Sequence, residues 1–188
     1  FHELLHAYGA ERFLVMAFEL PSEIRALMDC LHRRNVERCR VLARSPYCLF
    51  DHECLWDARL ISPQIFRDHY KPCLAEYNRI LHEAGKFCMD HASGQEIDGY
   101  LEDLEECGYD LIYGLRLGED NLSDGAELLQ RWQGRMVGCL GPDPDFLRRH
   151  SEARVRELCR GLLDRAAGLK LLMGTSDAVV AGTPPGHL

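Results

Sequence analysis

Two histidines in this sequence close short apolar runs, and each stands beside a carboxylate. The run "YCLF" ends in Asp51-His52-Glu53, and "KFCM" ends in Asp90-His91. An imidazole can take or give a proton near neutral pH, or bind a transition metal. A neighbouring carboxylate can orient it. Polar or small residues follow three later apolar runs as well. Tyr113 and Arg116 follow "YDLI", Gly138 and Cys139 end "RMV", and Thr175, Ser176 and Asp177 follow "LKLLMG". Asp177 in "GTSD" equally suits an Asx turn, and Tyr113 alternates with apolar residues as a packing residue would. Of the nine cysteines, Cys54 and Cys139 stand nearest these positions and are the thiols worth testing.

The elements that must position these residues alternate in type. Residues 22–43 carry apolar side chains at helical spacing, and "ERFLVMAFELP" before them is ambiguous but leans towards helix. "YCLFDHE" (47–53) suits a buried strand. Ser62-Pro63 supplies an N-cap and a first-turn proline for a helix ended by Gly85. Pro72 interrupts that helix, so a kink or restart is expected there. Residues 86–90 form the next strand. A helix with Ile97, Leu101, Leu104 and Cys107 on one face stops at Gly108. Then come a strand (109–114), a helix (125–132), a strand (135–141), a helix from Ser151 to Gly168 and a last strand (169–177).

Strict β/α alternation with apolar strands implies a parallel sheet covered by helices. The polar residues above then share the sheet's carboxyl-terminal rim, where such folds bind ligands. Two architectures fit: a doubly wound open sheet, or part of a (β/α)8 barrel. A whole barrel needs about 250 residues and eight units. Five strands in 188 residues, with an opening Phe and a loop-like closing "GTPPGHL", read as the second half of one, truncated at both ends. No linker divides residues 1–188, so a single domain is expected.

Composition narrows the function classes. A formal net charge of −8 disfavours nucleic acid and anionic membrane surfaces. No stretch reaches the roughly 20 apolar residues of a membrane span. The cysteines are odd in number and form no CxxC pair, which reads as reduced thiols and a cytoplasmic protein.

The segment "ISPQIFRDHYKPCLAEYNRILHEAGKFCMDHASGQEIDGYLEDLEECGYDLIYGL" closely resembles the uroporphyrinogen decarboxylase superfamily. In order, the likeness comprises an "ISP-x-x-F…P" helix, a strand ending in "H-x-x-G" and an "L…L-x-E-x-G-x-D" unit. "GRMVGCLGPD" is similar to the family's seventh-strand segment, and "LLMGTSDAVVAGTPP" to its eighth. The likeness covers about residues 8–188. It implies a partial (β/α)8 TIM barrel of about five βα units.

Two chemistries come with that resemblance. Decarboxylases of the family act on a porphyrinogen without a cofactor, using arginines and an aspartate from the first half of the barrel. His52 stands where they have a substrate-contacting serine, and Thr175 where they have a histidine. Cobamide-dependent methyltransferases of the family bind zinc through "H-x-C" and a later cysteine. His91 matches their histidine and is a metal-ligand candidate, with Asp51, His52, Glu53 and Cys54 as substitute donors. Ser93 replaces the first cysteine and Thr175 or Ser176 the second, so both thiolates are lost. The expectation is therefore methyl transfer involving a corrinoid protein, with carbon–carbon decarboxylation or a non-catalytic binding barrel as alternatives. His52, Glu53, His91 and Asp177 would be catalytic, and Asp51, Tyr113 and Thr175 would contact a small-molecule substrate. Zinc is expected to bind poorly, and the isolated segment to be inactive and to self-associate.

Overall fold

The computed structural model describes residues 2–52, 61–92, 98–117 and 122–187. The chain is α/β, and its five strands form one parallel sheet. The strands are β1 (Leu49–Asp51), β2 (Phe87–His91), β3 (Leu111–Leu117), β4 (Val137–Pro142) and β5 (Leu171–Met173). Their order across the sheet is their order along the chain. A doubly wound sheet reverses its order at a switch point, and the described strands show no such reversal.

Two compact units make up the chain. The first holds the described parts of Phe1–Phe50, Cys54–Cys88 and Asp98–Gly108. Helices α1 (His2–Tyr8), α2 (Ala10–Glu19) and α3 (Pro21–Ala43) lead in. The ambiguous segment before residue 22 is thus helical. Next comes a long helical stretch, made of α4 (Pro63–Ile65), a π-helical turn (Phe66–Tyr70) and α5 (Lys71–Glu83). The Ser62 hydroxyl accepts from the Ile65 N–H at 3.3 Å, as an N-cap should. The π turn falls where Pro72 forbids a regular helix. Pro72 has no N–H and its ring would strike the carbonyl four residues back. Lys71 N–H accordingly bonds to the Phe66 carbonyl, five residues back.

Helices α3 and α5 run in the same direction. His32 Nε2 lies 3.0 Å from Glu76 Oε2, 44 residues on. The charge of Asp29 reaches Cys73, and that of Arg25 reaches His69, at the same spacing. A constant offset between paired residues is the mark of parallel helices. Helix α6 (Leu101–Cys107) packs against the same helical stretch, without a constant offset. Arg67 and Lys71 meet Asp103, and Asn78 Nδ2 donates to the Cys107 carbonyl at 2.9 Å. Gly108 ends α6 in the left-handed conformation (φ 78°).

The second unit holds the described parts of Asp51–Glu53, Met89–Ile97 and Tyr109–Leu188. Its strands pair in parallel, with His91 opposite Tyr113, Gly138 opposite Ile112, and Cys139 opposite Leu172. Alternation puts Asp90, Ile112, Gly138 and Leu140 on one face, all buried. Helices α7 (Leu122–Trp132) and α9 (Glu152–Arg165) pack against β4. A β-carbon at Gly138 would fall 2.6 Å from Leu129 Cδ2, so α7 sits directly on the buried face. On the opposite face, Met89, His91, Leu111, Tyr113, Val137 and Cys139 are all half-exposed, and Leu172 is 50% exposed. This second face is apolar below and polar towards the strands' carboxyl ends.

A short helix, α8 (Pro144–Arg149), follows β4 where no element was expected; Asp143 caps it and Pro144 opens it. With α9 it encloses an apolar cluster of Phe146, Leu147, Val155 and Leu158. Strand β3 also runs past Gly114 to Leu117, beyond its expected end. No helix among the described residues is long and apolar enough to cross a membrane.

Candidate functional site

Three of the expected residues come together on the sheet's more exposed face: Asp51 and His91, the last residues of β1 and β2, and Tyr113 near the start of β3. The His91 imidazole stacks on the Tyr113 ring with centroids 4.2 Å apart and planes 7° from parallel. Their opposed positions in the strand register place the two rings side by side. The Tyr113 hydroxyl donates to Asp51 Oδ2 at 2.8 Å. One side chain thus ties three strands at the rim.

His52 joins a different group. Its backbone N–H donates to the Met89 carbonyl at 3.1 Å, extending the β1–β2 ladder by one residue. Its ring meets Tyr109 edge-on at 6.0 Å. The Tyr109 hydroxyl donates to Asp90 Oδ2 at 2.8 Å, while Asp90 Oδ1 accepts from the His91 N–H at 2.8 Å. Asp90 is fully buried. Successive residues of a strand point to opposite faces, so Asp51 and His52 part company, as do Asp90 and His91. The buried Asp90–Tyr109 pair fixes the backbone from which His91 projects.

The segment after β5 closes on β4. A β-carbon at Gly141 would fall 1.3 Å from the Gly174 carbonyl oxygen, so only glycine permits this approach. Gly174 N–H donates to Leu140 O at 3.1 Å, and Ser176 N–H to Pro142 O at 3.3 Å. Ser176 is 1% exposed, and among the described residues its hydroxyl has no hydrogen-bond partner. Thr175 and Asp177 turn to local work. The Thr175 hydroxyl donates to the Asp177 carbonyl at 2.7 Å, and Asp177 Oδ1 accepts from the Ala178 N–H at 2.7 Å. Asp177 is exposed, and its carboxylate binds the next residue's N–H rather than the N–H two residues on that an Asx turn would use. Glu53, Cys54 and Ser93 lie outside the described residues.

Cys139 lies on the same sheet face as His91 and Tyr113, opposite the Tyr113–Gly114 step of β3. Burial pushes its thiol up from the ordinary cysteine range, and the Gly114 N–H opposes that in part. Gly114 itself was not foreseen as a site residue. A glycine inside a strand pattern is the signal that marks it.

Among the described residues, the rim donors do not make up a thiolate zinc centre. His91 offers an imidazole, but the Thr175 hydroxyl is committed to a backbone carbonyl. The Cys139 thiol is held in its protonated form by burial. Among the described residues, this rim gathers no three histidine, cysteine or carboxylate donors close enough to share an ion. What the arrangement offers is an imidazole held flat by an aromatic ring, a carboxylate oriented by a phenol, and a thiol, all open to one side. Such a set can move protons and hold a polar substrate. No protein-family model matches the chain, and no curated protein matches it significantly.

Proposed function

We propose that this chain forms the later βα units of a (β/α)8 barrel of the uroporphyrinogen decarboxylase type. Its rim would act in methyl transfer with a corrinoid-carrying partner protein. The observation that carries the reading is the Asp51–Tyr113–His91 contact across three neighbouring strands, at the ends of β1 and β2. Ligand sites of βα barrels are built from side chains at the carboxyl ends of several strands. Strands in chain order and parallel neighbouring helices support the barrel part of the reading.

His91 is the acid–base group in this scheme. Tyr113 keeps the imidazole plane fixed, and Asp51 keeps Tyr113 in place. No step is assigned to zinc.

The test uses the protein encoded by the complete open reading frame. It is incubated with methylcobalamin and a small thiol, with the cobalt absorbance followed, and separately with a carboxylated porphyrinogen, with carbon dioxide measured. Loss of the methyl–cobalt absorbance without carbon dioxide release is expected. Carbon dioxide release alone would replace this reading by decarboxylation, and neither signal would leave a binding barrel.

A further inference from the structure

Gly114 sits at an irregularity in β3. The register with β4 runs Ile112 opposite Gly138 and then Leu115 opposite Leu140. Two residues of β3, Tyr113 and Gly114, therefore face the single residue Cys139. That is a β-bulge, which re-aims side chains and recurs beside active sites. Gly114 has φ 75°, in the left-handed region that glycine tolerates. Its surroundings are as restrictive as its backbone. A β-carbon there would lie 2.6 Å from His91 Cδ2, 2.9 Å from His91 Nε2 and 2.8 Å from the Ser176 carbonyl oxygen.

We infer that Gly114 is a positioning residue of the rim: its missing β-carbon leaves the space that the His91 imidazole fills against the Tyr113 ring. The bulge turns the Tyr113 ring onto the imidazole from one direction. The bare Gly114 backbone and the Ser176 carbonyl bound it from another. The imidazole is held by shape, and the group that would move protons in the proposed reaction keeps one orientation. The inference rests on that reading for its functional meaning, but its test needs no substrate.

The experiment compares Gly114→Asn with Gly134→Asn in protein carrying isotope-labelled histidine. Asparagine tolerates left-handed backbone better than other residues with a β-carbon. Gly134 has the same backbone sign (φ 84°) and nothing within 4 Å of a β-carbon. The His91 ring protons are read by nuclear magnetic resonance and assigned by their loss in His91→Ala. The stacked Tyr113 ring shifts them upfield in the native protein. Gly114→Asn is expected to abolish that shift and Gly134→Asn to keep it. An unchanged His91 signal in Gly114→Asn overturns the inference. If Gly114→Asn does not fold, the loss of thermal stability caused by Gly114→Ala is compared in the native and the His91→Ala backgrounds, since the Ser176 contact and the backbone strain are common to both. A smaller loss without the imidazole supports the inference; an equal loss overturns it. Failure of methyl transfer with these shifts intact would count against the proposed function alone.

Discussion

The Tyr113 hydroxyl gives its hydrogen to Asp51, and the His91 imidazole meets the Tyr113 ring instead of its oxygen. The two contacts separate cleanly by substitution. Tyr113→Phe keeps the stack and removes the hydrogen bond, so it should leave His91's resonances in place and change stability by about 1 kcal/mol or less. Tyr113→Leu removes both, and the His91 ring protons should lose their upfield shift. The thiols give a second residue-level prediction. Burial raises the Cys39, Cys73, Cys139 and Cys159 thiols, whereas Cys30 and Cys48 are exposed. Limited alkylation with iodoacetamide at neutral pH, followed by peptide mass spectrometry, should label Cys30 and Cys48 first, because the thiolate is the nucleophile. Early labelling of Cys139 would show a thiol activated in a way this geometry does not provide. A third concerns Lys71, which the carboxylate of Asp103, and then that of Glu106, holds above the ordinary lysine range. A raised folded value means the pairing stabilises fully below the unfolded lysine pKa and is lost as pH rises through the folded one. Unfolding midpoints taken across the alkaline range should therefore fall more steeply in the native protein than in Asp103→Asn. At this scale the sequence marked the strand-end positions of Asp51, His52 and His91. It could not say that His52 and His91 point to different partners, because that depends on where each strand's pleat begins.

Helix boundaries were the most legible elements, because capping is local chemistry. Ser62 and Ser151 both accept from an N–H three residues on, and Gly108 stops α6. Ser151→Ala should cost about 1 kcal/mol in chemical denaturation. Helix α8 was not legible from periodicity, since six residues span less than two turns. Asp143-Pro144 was the available sign. Pro72 announced an interruption, and the structure answers it with a π turn that keeps Phe66 and Tyr70 buried. The close approach of Gly141 to Gly174 had no sequence signature, because it is a contact between segments more than 30 residues apart. Gly141→Ala must push β4 and the β5 exit apart. It should destabilise by about 3 kcal/mol or more, as steric overpacking does. Gly182→Ala meets nothing within 4 Å and should cost about 1 kcal/mol, from its positive φ alone.

Strand order carries the architecture at the scale of the whole chain. Five parallel strands were expected from the β/α alternation, and among the described residues they stand in chain order, without the reversal of a doubly wound sheet. Composition and periodicity could not decide this, since both architectures use the same alternating elements. Strands β1 and β5 are the sheet's edges, and Leu172 and Met173 of β5 are exposed on them. Unpaired strand edges and open apolar faces favour association. Sedimentation velocity on the 188-residue chain should therefore show self-association that grows with concentration, and a monodisperse monomer would contradict the open-face account. The central claim is that the imidazole at the end of β2 acts at a catalytic rim. Its most direct test is kcat/KM for methyl transfer from methylcobalamin by the protein of the complete open reading frame, with His91→Ala set against the exposed-histidine control His6→Ala. Loss of a general acid–base group predicts a fall of about 100-fold or more for His91→Ala, with His6→Ala unchanged. An unchanged kcat/KM in a folded His91→Ala protein would contradict the account.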